Sequence, residues 1–149
     1  ALSRFIVDQN ILYFGTFIGI PGQPFTGKVY AYNIQSNKQL WSTSVPGGVQ
    51  EPFAASNGTV YTAVDQGRNG LESHLIALNA ATGKIVWKQP LHTIVLDGFS
   101  MSNGIIFVGS KAEYSTNGSG SGVQAFNART GQVLWKSTQY GYQNIVPTA

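Results

Sequence analysis

Six acidic side chains, two histidines and no cysteine bound the chemistry open to this 149-residue chain. Without a thiol there is no disulfide, no thiolate metal site and no cysteine nucleophile. Two carboxylates stand out by register. Glu51 and Asp97 each lie six residues ahead of an Asn-Gly pair, Asn57-Gly58 and Asn103-Gly104. Paired carboxylates at a channel mouth could hold a cation or poise a general base. The competing reading makes them solvated side chains at strand ends, or acceptors for backbone amides. The equivalent positions elsewhere are Ser3 and Val146, so no ring of charge is expected. His74 and His92 are isolated, whereas zinc needs three or four converging ligands. They are read as surface histidines, with no metal site. No nucleophile motif surrounds any serine, and Gly15 and Gly19 fall in a loop, so they make no phosphate cradle. No catalytic residue is predicted.

The elements that would position those carboxylates are set by an internal repeat. Three segments align without gaps, over residues 31–41, 77–87 and 125–135. Each begins Ala-x-Asn and ends in Trp, at Trp41, Trp87 and Trp135, spaced 46 and 48 residues apart. That spacing is a propeller blade's length, about 40–50 residues. Ahead of each segment a turn introduces an apolar run: Gln9-Asn10 before residues 11–14, Asn57-Gly58 before 59–62, Asn103-Gly104 before 105–108. Asn-Gly between apolar runs signals a tight hairpin, because both turn residues must accept positive φ. Within the aligned segments Gly83 and Gly131 take the left-handed position of a second hairpin, and Asn37 replaces them in the first copy. The innermost strands are expected near residues 2–7, 50–55 and 96–101. A helical reading fails, since no window keeps the 3.6-residue apolar period without an intervening Gly or Pro.

The expected fold is therefore all-β: propeller blades built as four-stranded antiparallel sheets. Three blades are complete (about 1–45, 49–90 and 95–139), and the inner strand of a fourth spans about 144–149. Composition agrees. Only 10% of residues are charged, against about 25% in average soluble domains. Nine scattered cations, no two adjacent, make no basic stripe, so no nucleic-acid partner is expected. No run of about 18 apolar residues exists, so no membrane span is expected. The chain opens on Ala1 and reads as a processed or excised piece, of a secreted or cell-envelope protein.

The pattern Ala-x-Asn/Asp-x-x-Thr-Gly-Lys-x-x-Trp, preceded by Asn-Gly-x-Val-Tyr, resembles the tryptophan-docking repeat of the PQQ-like (quinoprotein-type) propeller family. That family holds quinoprotein dehydrogenases and non-enzymatic relatives, among them an outer-membrane assembly scaffold lipoprotein. The resemblance implies that Trp41, Trp87 and Trp135 clip each blade to its neighbour. It makes Gly83 and Gly131 the receiving platforms, and Ala31, Ala77 and Ala125 the small residues that permit close approach. Asn37 departs from the pattern. The family's enzymes hold the quinone in the central channel between a tryptophan floor and a vicinal disulfide, beside calcium and an aspartate base. This chain has no cysteine, and its tryptophans belong to the repeats.

The first functional reading is thus a binding or scaffolding module with no cofactor. The alternative is a segment of a PQQ-dependent alcohol or sugar dehydrogenase, with PQQ and calcium. Partners would be another protein, or further blades from the same parent chain or from other copies. The loops after the second strands (residues 17–26, 65–72 and 111–121) differ in every copy and should emerge on one face. Phe17, Ile18, Ile20, Pro21 and Phe25 place apolar area in the first, either as a contact surface or folded back on the blade. Three blades and one strand would leave a sheet face bare at each end.

Overall fold

A computed structural model of the chain describes residues 2–49, 54–65, 73–91, 99–110 and 122–138. Every regular element among them is a strand. The first sheet runs β1 (Leu2–Asp8), β2 (Ile11–Thr16), β3 (Gly27–Asn33) and β4 (Lys38–Val45), antiparallel and in chain order. On the inner side of the second, two stretches are described, β5 (Gly48–Val49) and β6 (Ala54–Ser56). Both pair with β7 (Thr59–Asp65), followed by β8 (His74–Asn79) and β9 (Ile85–Pro90). The third runs β10 (Phe99–Ser102), β11 (Ile105–Ser110), β12 (Gly122–Asn127) and β13 (Val133–Thr138). The expected inner strand over residues 144–149 lies outside the described residues.

Backbone chemistry sets these registers. Each inner strand turns into the next over two residues, both with positive φ: Gln9 and Asn10 at 46° and 65°, Asn57 and Gly58 at 50° and 74°, Asn103 and Gly104 at 48° and 75°. Such a turn matches the right-handed twist of its strands and fixes a two-residue loop. The pairings Asp8 with Ile11, Ser56 with Thr59 and Ser102 with Ile105 follow from it.

The sheets stack face to face, with two apolar layers between them. In the first layer Tyr13, Val29 and Ala31 of the first sheet meet Val60, Val64, Ile76 and Leu78 of the second. In the other, Tyr61, Ala63, Leu75 and Ala77 of the second sheet meet Ile106, Val108 and Phe126 of the third. Side chains alternate across a strand, so odd and even residues of β7 and β8 serve opposite layers. That is why both strands read as continuous apolar runs rather than alternating ones.

One feature of the last strands has no counterpart in the repeat as read from sequence. The register slips between Ala31 and Tyr32, between Ala77 and Leu78, and between Ala125 and Phe126. Gln39 pairs with Tyr32 and Trp41 with Ala31, leaving Leu40 as the extra residue of a β-bulge. Val86 and Leu134 hold the same place in the other two sheets. Each bulge reverses the alternation by one residue, so the tryptophan shares the face of the alanine opposite it. Leu40, Val86 and Leu134 are turned outward and exposed.

Burial here predicts stability. Ile76 is fully enclosed between sheets, and Ile76→Ala should cost about 2–5 kcal/mol. Ile20 is 51% exposed, and Ile20→Ala should stay within about 0.5 kcal/mol of the parent. Urea unfolding midpoints of the two variants measure the contrast.

Candidate functional site

The repeated constellation on this scaffold is an indole laid over a hairpin of the next sheet. Trp41 is 9% exposed. Its ring lies against Gly83, where a Cβ would stand 2.6 Å from Cδ2 and Cε3 of the indole. Its Nε1–H donates to the carbonyl of Ala80 at 2.8 Å, and the Thr43 hydroxyl donates to the carbonyl of Gly83 at 2.6 Å. Trp87 repeats the arrangement. Its Nε1–H donates to the Ala128 carbonyl at 3.0 Å, and a Cβ on Gly131 would come within 2.8 Å of its ring. Both glycines also need their conformation, with φ of 70° and 75°, a region that L-residues with a Cβ enter at a cost.

Each indole is braced from its own sheet. Tyr13 lies 6.0 Å from Trp41 and Tyr61 lies 5.9 Å from Trp87, both tilted by 41°. Ala31 and Ala77 sit directly opposite the tryptophans, fully buried. Burial raises the pKa of both tyrosines above the ordinary phenol value, and Asp8 raises that of Tyr13 further.

The receiving hairpin is held by side chains whose role the sequence pattern left unassigned. The Asn79 side-chain oxygen accepts from the amides of Ala81 and Thr82 and from the Thr82 hydroxyl, all at 2.9–3.0 Å. Asn127 accepts likewise from the amides of Arg129 and Thr130. The amides of Ala80 and Ala128 reach back to the carbonyls of Gly58 and Gly104 at 2.8 and 2.9 Å. This ties each hairpin to the inner turn of its own sheet. Asn and Thr in Asn-x-x-Thr-Gly thus pre-form the platform, a local Asx turn that competes well with other conformations.

The third tryptophan differs. Trp135 keeps its brace, Phe107 at 6.1 Å, and its opposite alanine, Ala125, yet it is 46% exposed. At the other end of the stack, the hairpin of the first sheet has Asn37 at a φ of 55° where the others have glycine. Its carbonyl accepts from the Tyr32 hydroxyl at 3.1 Å, and Phe14 stacks on Tyr30 at 5.0 Å on the same outward face.

The loop over residues 17–26 is built rather than loose. Ile18 and Thr26 exchange two backbone hydrogen bonds of 2.8 and 3.0 Å, and Phe17 meets Phe25 edge-on at 4.7 Å. Phe17 also rests on Gly48, leaving no room for a side chain there. So the two phenylalanines fold back, while Ile18 and Ile20 remain exposed. Of the other two loops, residues 66–72 and 111–121 lie outside the described residues.

Glu51, Asp97 and His92 also lie outside the described residues. His74 is half-buried at the start of β8, paired with Val64 and Pro90. A cleft of about 480 Å³ opens between the first two sheets at the tight-hairpin end, lined by Asp8, Tyr13, Asn57 and Asn79 among others. Among the described residues Asp8 is the one charged side chain that lines it. Among the described residues no three of His, Cys, Asp or Glu converge. The enclosed indoles face neighbouring sheets instead of the inner strands.

Fold and contacts together define a propeller-type repeat protein, and the comparisons with known proteins say which. Residues 25–147 match the PQQ-like repeat family model described as outer membrane protein assembly factor BamB, and the chain belongs to that family. It is similar to the outer membrane protein assembly factor BamB of Nitrosomonas eutropha, 32% identical over 90 residues, covering 57% of this chain and 20% of that protein. Among solved structures it resembles a europium-containing methanol dehydrogenase (TM-score 0.66, 19% identity, 92% of this chain and 25% of that one). It also resembles the quinohemoprotein alcohol dehydrogenase of Comamonas testosteroni (TM-score 0.66, 21% identity, 91% and 20%). The chain thus spans about a fifth to a quarter of the length of these proteins.

The platform geometry predicts an asymmetry between two glycines. Gly58 and Gly83 both have positive φ, but space around Gly58 is open while Gly83 meets the indole. Gly58→Ala should cost only the left-handed penalty, roughly 1–2 kcal/mol. Gly83→Ala should cost more and shift tryptophan emission to the red as Trp41 is lifted into water. Denaturant titration followed by fluorescence compares them.

Proposed function

We propose that this chain is part of a PQQ-like propeller that acts as a protein-binding scaffold in the cell envelope, in the assembly of outer-membrane proteins. The observation that carries this reading is the family match over residues 25–147, supported by the relative in Nitrosomonas eutropha. The three sheets are successive blades. Trp41 and Trp87 are the docking residues between them, with Gly83 and Gly131 as platforms, and Trp135 is the third docking residue. Ala31, Ala77 and Ala125 leave the room each indole needs. No helix among the described residues is long and apolar enough to cross a membrane. The partner is a protein, met by the rigid loop that carries Ile18 and Ile20.

The likeness to the dehydrogenases is one of fold, below 25% identity, and fold does not carry chemistry with it. Glu51 and Asp97 remain the carboxylates through which a quinone-binding role would act. Two experiments separate the readings. Equilibrium dialysis against PQQ and calcium should show no stoichiometric uptake. Micromolar uptake lost in the Glu51→Ala/Asp97→Ala variant would overturn the scaffold reading. A photo-cross-linker at position 20, in intact envelopes, should join the chain to an identified outer-membrane assembly protein, and one at Lys84, on the opposite end, should not.

A further inference from the structure

The cleft between the first two sheets departs from the repeat that builds its walls. Its volume of about 480 Å³ is that of a small-molecule site. Asp8 and Gln9 line one side, and Ser56, Asn57, Asn79 and Ala81 the other. The less exposed part of the lining is mainly apolar, from Ile11, Tyr13, Ala55 and Ala80. The pairings Asp8 with Ile11, Ser56 with Thr59 and Ser102 with Ile105 make Asp8 the counterpart of two serines. Ala81, two residues after Asn79, is the counterpart of Arg129, two residues after Asn127. The two positions that hold Asp8 and Ala81 in this cleft therefore hold Ser56 and Arg129 between the second and third sheets. The sheets stack with either set, so packing does not ask for the carboxylate, and a departure of this kind points to a ligand.

The hydrogen-bonding groups around the cleft are unequally committed. The Asn79 side-chain oxygen is engaged by its own hairpin, the Ala80 carbonyl by Trp41, and the Gly58 carbonyl by the Ala80 amide. Asp8 is left as the strong acceptor, with the amide oxygens of Gln9 and Asn57 on the same lining. Among the described residues no lysine or arginine lines the cleft or pairs with Asp8. The pKa of Tyr13 is raised first by burial and then by Asp8, so the field of the carboxylate reaches the inner wall. An anion finds no positive group here. A hard divalent cation asks for about six to eight oxygens and finds a single carboxylate. An ammonium on an aliphatic stem suits both halves of the lining, with its head at Asp8 and its methylenes on the apolar wall.

We propose that this cleft is a binding site for a small aliphatic amine, whose ammonium pairs with Asp8 and whose methylenes lie along Ile11, Ala55 and Ala80. Ala81 leaves the entrance open where an arginine would fill it and repel the cation. The equivalent place between the second and third sheets, with Ser56 and Arg129, refuses the same ligand, so the site belongs to this pair of sheets alone among the described ones. It is independent of the scaffold role, and of any quinone.

The test uses n-butylamine, protonated at neutral pH, titrated into the chain and followed by NMR at the side-chain amides of Asn57 and Asn79. Both signals should shift saturably. Neither n-butanol, which has the same stem without the charge, nor butyrate should reproduce the shifts. Two variants borrow residues that the other sheets already carry, and a urea melt checks that each folds. Asp8→Ser should weaken binding about fivefold, the scale of one solvent-exposed charge pair. Ala81→Arg should abolish it. A folded wild type without saturable shifts, butanol bound as tightly as butylamine, or unchanged binding in folded Asp8→Ser would each overturn the site.

Discussion

A flat indole can lie on a polypeptide backbone only where no Cβ intervenes, and the stack of sheets depends on that constraint. A four-stranded sheet with two apolar faces is unstable in water by itself, and each face must be covered by another sheet. Apolar area alone would let neighbouring sheets slide and rotate. The indole N–H fixes the offset, because it must reach one carbonyl, Ala80 for Trp41 and Ala128 for Trp87. The ring fixes the separation, because glycine lies beneath it. The other local features serve this contact. The bulge turns the ring toward its platform, Tyr13 and Tyr61 brace it, and Asn79 and Asn127 hold the hairpin in shape.

Much of this was legible in the residues. The three tryptophans at one repeat position, the paired positive-φ turns and the apolar runs of β7 and β8 gave sheet count and strand order. Gly83 and Gly131 could be assigned because a left-handed hairpin position and a close approach ask for the same residue. The bulges could not be read. Leu40, Val86 and Leu134 look like strand residues facing a core, and only the pairing shows them displaced outward. A possible signal was the repeated pair of apolar residues directly before or at each tryptophan, which strict alternation would not place there. The loop over residues 17–26 had two competing readings, and both hold for different side chains: Phe17 and Phe25 pack inward, Ile18 and Ile20 face out.

The family model and the likeness of fold name different kinds of protein. Residues 25–147 belong to a family described by an outer-membrane assembly factor, while the fold is shared with methanol and alcohol dehydrogenases at 19–21% identity. What these proteins have in common is the way sheets pack, and packing is what the repeat residues encode. An indole enclosed between sheets is unavailable to line a channel. The residues that hold the blades together are therefore not the ones that would distinguish an enzyme from a scaffold, and the distinction falls to loops and inner strands.

The most direct measurement of the central claim is hydrogen exchange at the three indole N–H groups, followed by two-dimensional NMR. Each signal is assigned by replacing one tryptophan with phenylalanine. If indole–hairpin contacts hold the sheets, the Nε1 protons of Trp41 and Trp87 exchange only through opening of the stack and are strongly protected, while that of Trp135 exchanges nearly as fast as free indole. Equal and rapid exchange at all three would contradict the account, because the sheets would then be held by apolar burial without the indole bonds.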